Sequence, residues 1–206
     1  MSYYLFLFFF ITMNMSAQPG TISVEELRNP VKGKSLHALR AAREHLINGQ
    51  LERSIWELRQ AMSDPVVTPY AISLLGVAHL REGQVDLAVS ELEQDVRLLP
   101  GRAENHINLA FALYLKGQTE RGLLEARKAL QLDGGRPQTR LVLGVLLLQQ
   151  GSQDAEAVQQ LRAAAEAVPT AHLELAQHYD QAGQTREAEK ERRAYAATSM
   201  GFFAAK

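Results

Sequence analysis

Histidines and carboxylates are the side chains in this sequence that could support metal or acid–base chemistry, and their spacing favours neither. The 206 residues include six histidines. His172 and His178 are six positions apart, whereas two ligands on one face of a helix need an i, i+4 spacing. The sequence has no His-Glu-x-x-His, Gly-x-Ser-x-Gly or Gly-x-Gly-x-x-Gly motif. We therefore predict no metal site and no cofactor.

Neither the acidic residues nor the one motif that resembles a phosphate-binding loop indicates a catalytic site. Carboxylates are scattered over helix surfaces, as in Glu187-Ala-Glu-Lys-Glu191, and nothing groups a nucleophile, a base and an oxyanion donor. Gly33-Lys34-Ser35 matches the end of a phosphate-binding loop, but that loop needs a glycine where Arg28 stands. We interpret the motif as a helix start. The sequence predicts that the chain is not an enzyme.

The amino-acid composition limits which fold classes and which kinds of partner are expected. There are no cysteines, which excludes disulfides, thiolate catalysis and cysteine-ligated metal clusters. Lys plus Arg number 22 against 23 Asp plus Glu, a net charge of -1, whereas nucleic-acid-binding proteins usually carry a basic excess. Hydrophobic residues make up 46% of the chain and only seven residues are proline. The sequence thus predicts an all-α protein with no nucleic-acid partner.

The N-terminus differs from the rest of the chain. Residues 3–13 form a nearly unbroken apolar run. This run is shorter than the roughly 20 residues that span a bilayer and fits the apolar region of a signal peptide. We predict that residues 1–17 are a signal peptide cleaved to leave Gln18, and that the mature protein is periplasmic or secreted. No basic residue precedes the run, so an uncleaved anchor, the one route to membrane contact, and a mis-assigned translation start stay open as alternatives.

A repeat of about 34 residues dominates the remaining chain. It is marked by glycines that each end one helix and reverse the chain, namely Gly49, Gly83, Gly117, Gly151 and Gly183. A large and a small apolar residue precede each glycine, as in Leu75-Gly76 and Leu143-Gly144, and small residues let the next helix approach closely. Each repeat is predicted to be a pair of amphipathic helices that must stack on its neighbours to bury its apolar face. The predicted fold is a right-handed α-solenoid of about five helix-turn-helix repeats.

The sequence after the predicted signal peptide is divided into a linker, a repeat region and a tail. A linker with a short helix at residues 18–34 precedes a solenoid at residues 35–199, and a tail at residues 200–206 follows it. The predicted repeats are residues 35–65, 68–101, 102–135, 136–169 and 170–197.

These features resemble the tetratricopeptide repeat (TPR) family over about Ser35 to Ala197. The period, the Leu-Gly pair, the turn glycine, the following alanine and the terminal proline all match in the unit from Thr68 to Gly101. The resemblance implies a solenoid with a concave groove that binds proteins. It also implies packing roles for the histidines at positions where the family has aromatic residues, namely His45, His79, His106 and His172.

Two helices carry more apolar surface than stacking requires. In the third and fourth repeats, Leu113 and Leu147 belong to the packing stripe, and the surplus face would line the groove that the resemblance implies. If that face is open to water, Phe111→Ser is expected to be near neutral for folding. Alternatively, tighter helix packing or the chain's own tail buries it. The predicted partner-binding residues are Tyr70, Val77, Leu80, Arg81, Ile107, Phe111, Tyr114, Leu141, Val145 and Leu148.

Charge along the predicted groove is uneven. Arginines flank its first half and carboxylates its end, namely Arg40, Arg43, Arg81, Glu174 and Asp180. The Lys/Asn clamp with which some TPR proteins hold a terminal carboxylate is missing, because Ser73 and Val77 stand at its first matching positions. We therefore expect a non-catalytic scaffold that binds an apolar peptide or helix in the groove. The alternatives are a self-associating structural protein of the envelope and a carrier of lipid or small molecules in the same groove.

Overall fold

A computed structural model describes residues 33–151 and 154–204, with side chains up to Ser199. Throughout these residues, every regular element is an α-helix. The predicted signal peptide, and the predicted linker as far as residue 32, lie outside the described residues. No helix of the described part is both long and apolar enough to cross a membrane.

The described part of the chain divides into two compact units, one that ends at Lys116 and one that begins at Gly117. The boundary lies inside the predicted third repeat. The helices of the first unit are α1 (Gly33–Ile47), α2 (Leu51–Ala61), α3 (Thr68–Arg81), α4 (Val85–Leu98) and α5 (Ala103–Leu115). Those of the second unit are α6 (Thr119–Leu132), α7 (Pro137–Gln150), α8 (Asp154–Ala165), α9 (Ala171–Gln181) and α10 (Thr185–Ala204).

Helices adjacent in sequence pack against each other within each unit. In the first unit, α1 packs on α2, α2 on α3, α3 on α4 and α4 on α5, and α3 also contacts α1 and α5. In the second unit, α6 to α10 pack in the same sequential way, and α7 also contacts α9. Within each unit, the prediction of an all-α stack of helix-turn-helix repeats is confirmed.

The turn glycines explain where the first helix of each pair ends. All five predicted glycines have φ between 72° and 79°, the left-handed region that side-chain-bearing residues avoid. At Gly83, the Gln84 N–H donates to the His79 carbonyl at 2.8 Å and the Gly83 N–H donates to the Leu80 carbonyl at 3.0 Å. These two bonds satisfy carbonyls that the helix end leaves without partners. The sequence position of the glycine therefore sets the length of each first helix.

Close approach within a pair depends on glycine in the first helix. A Cβ atom at Gly76 would lie 2.6 Å from Leu92 Cγ, and one at Gly144 would lie 2.7 Å from Leu161 Cγ. Both leucines are fully buried, and protein interiors are close-packed. The predicted role of Gly76 and Gly144 in close packing is confirmed.

Gly76→Ala is expected to lower the free energy of unfolding by up to about 2 kcal/mol, because the added methyl group overlaps Leu92 at a cost of about 1–3 kcal/mol. This cost outweighs the gain of up to about 1 kcal/mol in helix propensity. Urea denaturation followed by circular dichroism measures the change. Gly33→Ala is the control, since no atom of the described residues lies within 4 Å of a Cβ atom there. Equal stabilities of the two variants would contradict the close approach.

Candidate functional site

The ten predicted partner-binding residues differ in exposure. Six are at most 6% exposed, namely Val77, Leu80, Ile107, Phe111, Leu141 and Val145. Four are partly exposed, namely Tyr70, Arg81, Tyr114 and Leu148. The first six are interior side chains in this structure, so the expectation that Phe111→Ser is near neutral for folding does not hold here. Contact of these residues with a partner stays a prediction.

Arg81 has a structural contact inside the first unit. Its guanidinium donates a hydrogen bond to the Leu46 carbonyl, near the end of α1. Burial lowers the Arg81 pKa from its ordinary value. Arg81 therefore ties α3 to a helix-end carbonyl of α1.

Tyr70 lines a cavity of about 230 Å³ in the first unit. We call it the Tyr70 cavity. It is surrounded by residues of α1, α3, the start of α5 and the segment just before α5, namely Leu39, Arg40, Arg43, Tyr70, Ser73, Leu74, Arg102, Glu104 and Asn105. Tyr70 is the one predicted partner-binding residue in this lining. The cavity thus combines apolar side chains with three arginines and a single carboxylate.

Two of the three arginines in the lining form no ion pair within the described part of the chain. The guanidinium carbon of Arg102 lies 5.0 Å from the centre of the Tyr70 ring, a cation–π contact that holds both groups in place. Arg40 and Arg43 are three positions apart on α1, so they lie on the same helix face. Neither forms an ion pair with any described residue.

A buried polar network lies directly behind the cavity. Asp95 of α4 and Asn105 of α5 are 0% and 1% exposed. Asn105 Nδ2 donates to Asp95 Oδ1 at 3.0 Å and to the Leu99 carbonyl at 3.3 Å. Ser73 of α3 lies close enough to the Asp95 side chain to lower its pKa. These bonds fix Asn105, a polar residue of the cavity wall, against α4.

Asp95 is an unusual carboxylate. Burial raises its pKa to about 6, and this effect outweighs the nearby Ser73 side chain and the charges of Arg102 and His106, which lower the pKa. Its Oδ2 atom and Asn105 Oδ1 are both buried without a hydrogen-bond partner. The network is thus held together at some cost to folding.

Asp95→Asn is expected to raise the free energy of unfolding at pH 7.5 by about 1–3 kcal/mol. The folded-state pKa of about 6 lies above the unfolded value, so the wild type loses stability as the pH rises from about 4 to 6. The neutral amide removes this loss, and the two chains should be about equally stable near pH 3.5, below the unfolded pKa. Urea denaturation at both pH values measures the difference. A difference that does not change with pH would contradict this origin.

The histidines form pairwise contacts. His79 Nδ1 lies 2.7 Å from Glu91 Oε2, and His172 Nδ1 lies 2.6 Å from Glu191 Oε2. His106 Nε2 lies 2.8 Å from the Pro100 carbonyl oxygen. Among the described residues, no group of three or more histidines and carboxylates could hold a metal ion. His79, His106 and His172 each bridge two segments of their own unit.

The helix pairs with a left-handed glycine between them define the class of protein. The chain has the tetratricopeptide repeat fold. It is similar to a thermophilic TPR protein in Thermus thermophilus, with a TM-score of 0.67 and 19% identity over 81% of this chain and 99% of that one. It is also similar to MamA 41-end from Desulfovibrio magneticus RS-1, with a TM-score of 0.66 and 14% identity over 83% and 98%.

Part of an enzyme has the same fold. Thermobaculum terrenum O-GlcNAc transferase, as a mutant, matches with a TM-score of 0.61 and 27% identity over 65% of this chain and 26% of that one. The similarity thus spans about a quarter of the transferase. No family model and no curated protein sequence matches the chain.

Proposed function

We propose that this protein is a non-catalytic scaffold that binds an apolar peptide or helix, with the Tyr70 cavity as the anchoring site. One observation carries the proposal, namely that three first helices of successive pairs, α1, α3 and α5, surround an open cavity with Leu39, Leu74 and Tyr70 in its wall. Peptide recognition of this kind obtains affinity from apolar side chains that enter pockets, and orientation from the polar groups around them.

The shape of the cavity suits a peptide better than a small-molecule substrate. Its volume of about 230 Å³ is below the roughly 300–1,000 Å³ of pockets that enclose a small-molecule ligand. The same volume accepts one or two side chains of a longer partner. The TPR fold of the chain is compatible with this role, and the likeness to solved structures is a likeness of fold.

Selection from a displayed library of random peptides tests the proposal. The full chain should enrich peptides with an apolar or aromatic anchor, and Tyr70→Ala should weaken their binding at least about tenfold, as loss of a buried aromatic anchor does. Leu124→Ala is the control, because Leu124 is 70% exposed on α6. Failure to enrich any peptide, or equal binding to the Tyr70→Ala variant, would contradict the proposal.

We also propose that the protein acts in the periplasm or outside the cell. The support is the uncharged apolar run at residues 3–13, which precedes the first charged residue, Glu25. Protein isolated from its native host should begin at Gln18 when analysed by mass spectrometry. An intact Met1 would contradict cleavage.

A further inference from the structure

The Tyr70 cavity carries a more specific inference, which rests on the proposed function. We propose that the cavity accepts the carboxylate of an internal acidic side chain of the bound peptide, next to an apolar residue seated on Leu39 and Leu74. The partner would therefore contain an acidic residue beside an apolar or aromatic one.

The first argument is the charge of the wall. Three of the nine lining residues are arginines and one, Glu104, is acidic. Arg102 is held over the Tyr70 ring and also faces the buried Asp95 charge. Arg40 and Arg43 have no ion-pair partner among the described residues. The α1 side of the cavity consequently presents two positive charges that the described part of the chain does not balance.

The second argument is the chemistry of the guanidinium group. Its planar set of donors matches the two oxygens of a carboxylate, and such bidentate pairs are stronger than ordinary hydrogen bonds. A surface ion pair contributes little in open water. Inside a cavity walled by Leu39, Leu74 and Tyr70, water is partly excluded and the same pair is stronger.

The third argument distinguishes a carboxylate from a phosphate. Glu104 lies in the wall, and Asp95 lies behind Ser73 and Asn105 with a pKa of about 6. Asp95 is therefore mostly ionised at neutral pH. With three arginines and these two carboxylates the site has a net charge of about +1, which one carboxylate neutralises and a dianion exceeds. The cavity thus favours a singly charged carboxylate over a phosphorylated side chain.

The test uses the peptides that the full chain selects from the library. Each peptide is synthesised in three versions: the selected sequence, a version in which the acidic residue is replaced by its amide, and a version in which it is replaced by phosphoserine. Fluorescence anisotropy measures their affinities. On the wild type, the amide should bind about tenfold more weakly than the acid, as the loss of a hydrogen-bonded charge does. The phosphoserine peptide should bind no more tightly than the acid.

Arg43→Gln should weaken the acidic peptide about tenfold and leave the amide peptide within about twofold, since the substitution acts only on the charge pair. Arg97→Gln is the matched control, because it removes the same charge from an exposed position on α4 of the same unit. Arg43→Lys keeps the charge and should restore part of the affinity. Circular dichroism verifies that each variant is folded.

The outcomes separate this inference from the proposed function. If the acid and the amide bind equally while Tyr70→Ala still removes binding, the carboxylate site is wrong and the peptide-binding scaffold stands. If Arg43→Gln weakens both peptides equally, the arginine contributes to structure and the inference fails. Tighter binding of the phosphoserine peptide would show that the cavity prefers a phosphate to a carboxylate, and would overturn the inference.

Discussion

Phe111→Ser should lower the free energy of unfolding by about 3–5 kcal/mol. Phe111 is 2% exposed, and its ring stacks on Tyr114 at a centroid distance of 6.1 Å. Serine removes this contact, leaves a cavity and places a hydroxyl group in an apolar environment, and each of these effects opposes folding. Urea denaturation followed by circular dichroism measures the change.

Leu98→Ser is the control for Phe111→Ser, since Leu98 is 46% exposed on α4 of the same unit. It makes the same kind of change in a hydrated position and should cost at most about 0.5 kcal/mol. A loss below about 1 kcal/mol for Phe111→Ser would show that this face is open to water in solution. The apolar groove inferred from the sequence would then regain Phe111 as a contact residue.

Leu113→Ala and Leu147→Ala should each lower the free energy of unfolding by about 2–5 kcal/mol. Both leucines are 0% exposed, and each stands four residues before a turn glycine, in α5 and α7 respectively. The truncation leaves a cavity near the helix end, where the chain reverses. Thermal and urea denaturation measure the loss.

The controls for these truncations are exposed leucines of the same units. Leu98→Ala in the first unit and Leu124→Ala in the second change the same chemical groups at 46% and 70% exposure, and should stay within about 0.5 kcal/mol of the wild type. If Leu113→Ala and Leu147→Ala lower the free energy of unfolding by no more than these controls do, the predicted packing stripe does not form the core.

The repeat and its turns could be predicted because they depend on local chemistry. A glycine with positive φ, such as Gly83 or Gly151, is needed wherever a helix ends in a left-handed residue, so the period is visible in one sequence. Gly76 and Gly144 were predictable for the same reason, since a small residue is needed where two helices touch. These requirements determine the helix pairs without any knowledge of a partner.

The exposure of the surplus apolar face could not be predicted from periodicity. A helix that is apolar on every side is either buried in its own chain or covered by a partner, and the pattern is identical in the two cases. Phe111 and Val145 are buried in the structure, whereas Leu148 is partly exposed. The difference depends on packing among helices, which a single helix sequence does not encode.

The Tyr70 cavity was only partly predictable. Tyr70, Arg40 and Arg43 were visible as residues along the predicted groove. Arg102 precedes α5 in a connecting segment, where helical periodicity does not predict which way a side chain faces. Asn105 is an ordinary surface amide by composition, and only the packing of α4 against α5 brings it to Asp95. Sites built from connecting segments and from several helices need the three-dimensional arrangement.

The sequential packing of helices has a consequence for how each unit folds. The contacts described within a unit join helices that are one or two apart along the chain. Such short-range contacts need little loop closure before they form, which favours rapid folding. The stability of a unit is then the sum of the stabilities of its helix pairs, or hairpins, and of the interfaces between neighbouring hairpins. A destabilising substitution at one end of a unit therefore affects the other end only through the hairpins that lie between them. The Tyr70 cavity needs α1, α3 and α5 together, and therefore exists only when the first hairpin is folded against its neighbours.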